Sequence, residues 1–136
     1  MQIINKRGFT LIELLVVVAI IGLLASIVLV SVGTARNKAK DVAIKADLSN
    51  LRAAGELYSD TAGNYVGFCT SGDANRAKDG ITSVSSAMQC NAGATAWSAC
   101  ANLIVNSSSG WCVDSTGIAK TIASASCNAA SVQVCP

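Results

Sequence analysis

The chain has 136 residues, of which 51% are hydrophobic, 13% are charged and 4% are aromatic. This length allows one small domain beside an apolar segment, and so few aromatic residues exclude a large core built around them. The formal net charge is +2 and no basic stripe follows residue 60, which argues against a specific nucleic-acid site.

Residues 9–32 form an apolar run that directly follows the basic pair Lys6 and Arg7 and then Gly8. A helix over this run would be about 36 Å long, enough to cross a hydrocarbon layer of about 30 Å. Lipid favours a helix here, because a helix satisfies its backbone hydrogen bonds within one segment. The run therefore predicts a transmembrane helix. The alternative, a cleaved secretory signal ending near Ala35, would have a much shorter apolar region.

Glu13 is the one acidic residue within this run. A carboxylate in lipid is costly unless it is paired or neutralised, so Glu13 is a functional candidate. The plain alternative is that Glu13 lies near enough to the cytoplasmic end to reach water. Cleavage between Gly8 and Phe9 would create an α-amino group on Phe9, one helical turn before Glu13. That amine could pair with Glu13 of the same chain or of a neighbour, and the second pairing would fix the axial register between copies.

The segment KRGFTLIELLVVVAIIG, from Lys6 to Gly22, resembles the amino-terminal signature of type IV pilin precursors and the related pseudopilins. The resemblance implies that a prepilin peptidase cuts between Gly8 and Phe9 and methylates the new amine. It also implies that Glu13 serves in subunit recruitment and that these helices form the core of a helical filament. Many relatives have a proline where this chain has Val30, so a helix break placed by proline is not expected.

Residues 33–60 lack proline, and their apolar residues recur at spacings of three and four, which predicts an amphipathic continuation of the helix. Residues 61–136 are predicted to form a cysteine-rich globular head. Within it, 61–88 resembles a linking loop with a short ordered piece near 65–69. The head's strands are predicted at 101–105, 110–114, 118–122 and, as a short fourth strand, 131–134. The expected fold class is α+β, with a long amino-terminal helix packed against a small disulfide-stapled antiparallel sheet, as in pilins.

Six cysteines lie in the second half of the chain: Cys69, Cys90, Cys100, Cys112, Cys127 and Cys135. Disulfides would compensate for the small core, and they place this half outside the cytoplasm and the leader, residues 1–8, inside. The alternative, a zinc site, lacks histidine and a C-x-x-C pair, so no metal and no cofactor is expected. Proximity along the chain suggests the pairs Cys69–Cys90, Cys100–Cys112 and Cys127–Cys135. The last pair resembles the disulfide-closed loop that many pilins display.

The remaining polar and aromatic residues of the head do not suggest catalysis. Asp73, Asp79 and Asp114 stand singly in loop-like sequence without a nucleophile beside them, so no catalytic residue is predicted. Trp97 and Trp111 are expected to pack over the sheet and the disulfides, and a surface binding role is the alternative. The sequon Asn106-Ser107-Ser108 matches a short glycosylation pattern that is common by chance.

The predicted function is a structural subunit that polymerises through its amino-terminal helix into a type IV pilus-like surface filament for adhesion, twitching motility or DNA uptake. Its expected partners are other pilin subunits, a prepilin peptidase and an assembly platform in the membrane. The subunit would be a single-pass protein of the cytoplasmic membrane before assembly and extracellular afterwards. One alternative is a pseudopilin of a type II secretion system. Another is a monomeric, membrane-anchored extracellular binding domain, which would have no need of Glu13.

Overall fold

The computed structural model of the chain describes residues 8–84, 86–124 and 133–136. Contacts divide the chain into two compact units, one ending at Ala35 and the other beginning at Arg36. Helix α1, Leu11–Ala62, is 52 residues long and supplies residues to both units. No proline interrupts it, because the single proline of the chain is Pro136. The prediction of one helix without a proline break at Val30 is confirmed.

In the first unit the apolar side chains of α1 are exposed. Phe9 just before α1 is 74% exposed, and Val32 is still 42% exposed. By length and composition, α1 is long and apolar enough to cross a membrane. An apolar surface of this extent is not stable in water, so it needs lipid or other protein around it.

In the second unit one face of α1 packs against a sheet. Ile44, Leu48, Leu51 and Gly55 are buried at spacings of four, three and four, which places them on one helical stripe. The sheet is antiparallel, with its strands in sequence order. The four strands are β1 (Met88–Ala92), β2 (Trp97–Asn102), β3 (Ser109–Asp114) and β4 (Ala119–Ala123). The α+β class predicted from the sequence is confirmed.

The segment between α1 and β1 is mostly helical, so the prediction of a linking loop over 61–88 is wrong. A short 3-10 helix, Phe68–Thr70, is followed by helix α2, Gly72–Ser83. The Ser71 side chain accepts a hydrogen bond from the Ala74 N–H at 3.3 Å and so caps α2. Three residues of α2 are buried at helical spacing, and they fix this helix to the core: Ala74, Ala77 and Ile81.

Two strands also differ from the prediction. Strand β2 begins at Trp97 and not at 101, and β1 was not predicted. Five consecutive residues of β2 are buried because both faces of the sheet are covered there, so the usual alternation of apolar and polar residues is missing. Strand β1 lacks β-branched residues, which removes the other signal. Of the predicted strand 131–134, the first two positions lie outside the described residues, and Gln133 and Val134 are not in a strand.

The core lies between the sheet and the helices, with Trp97 at its centre. Trp97 is fully buried, and its ring centroid lies 4.8 Å from that of Phe68. Gly55 lies under the indole, where an added Cβ would come within 2.6 Å of Trp97 Nε1. Trp111 is half-buried on the same side of the sheet, and the Lys45 ammonium lies 4.7 Å from the Trp111 ring centroid. Both tryptophans therefore pack on the helix-facing side of the sheet, as predicted for core residues, but the buried Cys100, Cys112 and Cys135 form a separate cluster that they do not cover.

Disulfides tie the sheet to the segments on either side of it. Cys69 bonds to Cys90 and so joins the 3-10 helix to β1, as predicted. Cys112 bonds to Cys135, with 5.8 Å between their Cα atoms. Cys100 is also disulfide-bonded. The end of the chain is therefore fastened across β3.

The predicted pairs Cys100–Cys112 and Cys127–Cys135 are wrong, because Cys112 and Cys135 are bonded to each other. Each predicted pair closes a short loop between cysteines that are neighbours along the chain. In the fold, the chain end returns over the sheet face opposite α1, where Cys135 is buried in one cluster with Cys100, Cys112 and Ile122. We call these four residues the tail cluster. Cys127 itself lies outside the described residues.

Candidate functional site

The start of α1 is built as a reciprocal cap between Thr10 and Glu13. The Thr10 N–H and the Thr10 hydroxyl donate to Glu13 Oε2 at 2.9 and 2.8 Å. The Glu13 N–H donates in return to Thr10 Oγ1 at 3.3 Å. This is a capping box, in which two otherwise unpaired backbone N–H groups at a helix start are satisfied. It explains why α1 begins at Leu11.

The capping role of Thr10 was not predicted, although the spacing T-x-x-E before an apolar run is its signal. The cap leaves Gly8 and Phe9 outside the helix, and both residues are exposed. Lys6 and Arg7 lie outside the described residues. The Gly8–Phe9 bond thus lies just before the cap residue Thr10, with only Phe9 between them, in a non-helical and accessible part of the chain.

Glu13 is exposed at the edge of a shallow groove with an apolar lining, formed by Phe9, Ile12, Val16 and Val17. In the described part of the chain only Thr10 hydrogen-bonds to this carboxylate. One oxygen, Oε1, is therefore left to accept a bond from outside the chain. That oxygen therefore lies next to the apolar surface of the groove, which lipid or another protein must cover.

Asp114 is the most buried carboxylate of the head and lies at the end of β3, where the predicted strand 110–114 also ends. Its Oδ1 accepts from the Thr116 N–H, the Thr116 hydroxyl and the Ile118 N–H at 2.9, 2.7 and 3.1 Å. Its Oδ2 accepts from the Cys135 N–H at 2.9 Å. Burial by itself would raise the pKa of Asp114, but these hydrogen bonds, that from Cys135 foremost, hold the pKa below its usual value. Asp114 therefore joins the β3–β4 turn to the chain end.

Asp41 is a second structural carboxylate, which the sequence gave no signal for. It lies on α1 and accepts from the Ile104 N–H at 2.6 Å and from the Val105 N–H at 3.3 Å. These bonds fasten the residues after β2 to the helix. The two other acids named from the sequence lie on α2, not in a loop. Asp73 pairs with exposed Arg76 at 3.3 Å, and Asp79 is exposed.

The other candidate sites of the head offer little chemistry. Asn106, Ser107 and Ser108 form an exposed turn after β2, in which Asn106 Oδ1 accepts from the Ser108 N–H at 3.1 Å. Across residues 8–84, 86–124 and 133–136, no three His, Cys, Asp or Glu side chains group closely enough to hold a metal ion.

Residues 4–29 match the family model described as the prokaryotic N-terminal methylation motif. The chain is 39% identical over 62 residues to the type IV wide pilus major component PilA4 of Thermus thermophilus. It is 41% identical over 58 residues to the type II secretion system core protein G of Pseudomonas aeruginosa. Over part of its length the chain is therefore similar to a type IV pilus component and to a type II secretion system component.

These matches cover 46% and 43% of this chain, and 47% and 41% of the two relatives. The pilin-like chain thus aligns with less than half the length of either relative. No solved structure matches it. Both relatives are components of assemblies by their names, and neither is named as an enzyme. The methylation motif contains Gly8 and Phe9, which precede the cap of α1, and Glu13, which is part of it.

Proposed function

We propose that this chain is the precursor of a filament subunit of the type IV pilus class. A prepilin peptidase removes the leader, residues 1–8, and methylates Phe9. Residues 9–32 then span the cytoplasmic membrane until they enter the filament core, residues 33–60 continue the helix, and residues 61–136 form the head outside. The observation that carries this proposal is the exposed apolar start of α1, with the single acid Glu13 inside a methylation motif.

The electrostatics of this segment support assembly between copies. Removal of the leader turns the Phe9 amide nitrogen into an amine, which is the nearest new cation to Glu13. Opposite unit charges attract more strongly the closer they lie. A slip of one helical turn, about 5.4 Å, would move the two charges apart and weaken this attraction. Pairing between neighbours would therefore select one axial register.

The cap also supports this reading. Thr10 holds only Oε2 of Glu13, so the second oxygen can accept from a neighbour without loss of the helix start. Lipid covers the apolar face of α1 before assembly, and neighbouring helices cover it afterwards. Because packing between helices replaces lipid contacts, the charge pair adds the specificity that apolar contact lacks.

A pilus is favoured over the pseudopilus of a type II secretion system. The described bridges, Cys69–Cys90 and Cys112–Cys135, fasten the head on both sides of its sheet. Covalent bridges suit a fibre exposed outside the cell. The second candidate, a secretion pseudopilin, is supported by the similarity to core protein G. Electron microscopy of the cells distinguishes the two, since only the pilus predicts abundant external fibres.

The test is the variant Glu13→Ala in the native host, with Ser26→Ala as a control that removes another polar group from the apolar part of α1. We expect Glu13→Ala to reach the membrane but to give no sheared filaments, whereas Ser26→Ala gives the wild-type yield. Normal filament yield from Glu13→Ala would contradict the proposal. It would favour the monomeric, membrane-anchored binding domain, which does not depend on Glu13.

A further inference from the structure

In the tail cluster, two cysteines lie close to Cys112: Cys100 and Cys135. Cys100, Cys112 and Cys135 are all buried on the sheet face opposite α1. Cys112 bonds to Cys135, although Cys100 lies directly opposite Cys112 in the pairing of β2 with β3. The fold must therefore contain a feature that directs Cys112 to Cys135, although Cys135 is farther from Cys112 along the chain than Cys100 is.

The unused pair is within bonding reach. The Leu103 N–H donates to the Ser109 carbonyl, and the Ser115 N–H donates to the Trp97 carbonyl, so these are hydrogen-bonded pairs of β2 and β3. Because such pairs alternate along an antiparallel ladder, Cys100 and Cys112 occupy a non-hydrogen-bonded pair, with Cα atoms about 4.5 Å apart. Disulfides span Cα separations of about 4.4–6.8 Å. Backbone distance alone thus permits a Cys100–Cys112 bridge.

Asp114 is the group that favours Cys135. It follows Cys112 by two residues, so both side chains lie on the same face of β3. Its Oδ2 accepts from the Cys135 N–H at 2.9 Å, next to the bridge itself. Its Oδ1 is held by Thr116 and Ile118, so the carboxylate has a fixed position without the chain end. A carboxylate held in this way can bind the Cys135 backbone before any covalent bond exists.

We propose that Asp114 is a positioning residue that directs Cys112 to pair with Cys135 during oxidative folding. The Cys112 thiolate attacks an oxidising disulfide such as glutathione disulfide and releases one glutathione thiolate. The Cys135 thiolate then displaces the second glutathione from Cys112. Two thiols lose two protons and two electrons in all, and the oxidant becomes two thiols. The hydrogen bond from Cys135 to Asp114 raises the local concentration of Cys135 at the second step. This inference does not depend on whether the chain forms filaments.

The experiment is refolding of the reduced full chain in detergent micelles with a glutathione redox buffer, followed by disulfide mapping of the unreduced protein by mass spectrometry. In Asp114→Ala, we expect the ratio of Cys112–Cys135 to Cys100–Cys112 bridges to fall about tenfold. In Asp114→Asn, which keeps an acceptor oxygen and the side-chain shape, we expect a smaller fall of about threefold. If Asp114→Ala does not fold, Asp114→Asn supplies the comparison.

Two controls separate positioning from general stability. Asp79→Asn removes an exposed carboxylate of α2, and Ile44→Val weakens the core on the other side of the sheet. Both variants should keep the wild-type ratio of bridges. An unchanged ratio in the Asp114 variants would overturn the proposal. An equal fall of this ratio in Ile44→Val would also overturn it, because any loss of stability would then change the pairing of the cysteines.

Discussion

Replacement of Gly55 by alanine tests the packing of α1 on the sheet. An added Cβ would lie 2.6, 2.8 and 2.9 Å from Nε1, Cε2 and Cζ2 of Trp97. The indole cannot easily move away, because it is fully buried and packs on Phe68. Overpacking of a core costs about 1–3 kcal/mol, and three close contacts with a fixed ring place this site in the upper half of that range.

Helix propensity acts in the opposite direction at Gly55. Alanine is favoured over glycine inside a helix by about 1 kcal/mol. The net expectation for Gly55→Ala is a loss of about 1–2 kcal/mol in the free energy of unfolding. With a urea dependence of about 1–3 kcal/mol/M, the unfolding midpoint should fall by roughly 0.5–1 M.

The assay is urea unfolding of the full chain in detergent micelles, followed by tryptophan fluorescence. Gly33→Ala is the matched control on the same helix, because its added Cβ meets nothing within 4 Å apart from its chain neighbours and the nearby backbone of its own helix. It should leave the midpoint unchanged or raise it. The combination of Gly55→Ala with Trp97→Phe should show non-additive losses, since the smaller ring removes the contact. A stabilised Gly55→Ala, or strict additivity in that cycle, would refute this account of the core.

Three further predictions concern the hydrogen-bonded carboxylates and the cap of α1. The folded-state pKa of Asp114 lies below its unfolded value of ~3.9. The ionised carboxylate therefore contributes fully to the free energy of unfolding above that pH, and this contribution is lost as the pH falls through the folded-state pKa. The difference in stability between the wild type and Asp114→Asn, measured by urea unfolding, should shrink in acid. Asp41→Ala leaves two backbone N–H groups without their charged acceptor and should cost about 1–3 kcal/mol, whereas exposed Asp60→Ala should change unfolding by less than about 0.5 kcal/mol. Thr10→Val removes the hydroxyl that hydrogen-bonds to Glu13, so the opening free energy of the first amides of α1, measured by hydrogen exchange in micelles, should fall by about 0.5–2 kcal/mol. Equal protection of these amides in the variant and the wild type would refute the cap.

The long helix and the α+β class were predictable because their signals are local. An apolar run without proline, continued by apolar residues at spacings of three and four, has few structural solutions. Helix α2 had local signals as well, in the cap at Ser71 and the spacing of Ala74, Ala77 and Ile81. They were hidden by a composition rich in glycine, asparagine and serine, which is typical of loops.

The pairing of the cysteines was not predictable from their spacing. The Cys69–Cys90 bridge follows the chain order, but the Cys112–Cys135 bridge depends on the return of the chain end over the sheet. At that return Asp114 accepts a hydrogen bond from the Cys135 backbone N–H, and a sequence gives no sign of such a contact. The acid inside the apolar run was the clearest signal of function, and the role of Glu13 in assembly stays a prediction.

The amino terminus of the chain in assembled fibres decides whether this protein is a processed filament subunit. Fibres sheared from native cells would be dissolved, and the chain would be examined by amino-terminal sequencing together with its intact mass. We expect the protein to be present in the fibres and to begin with N-methylated Phe9. A chain that still begins at Met1, or that is absent from every fibre, would contradict this expectation.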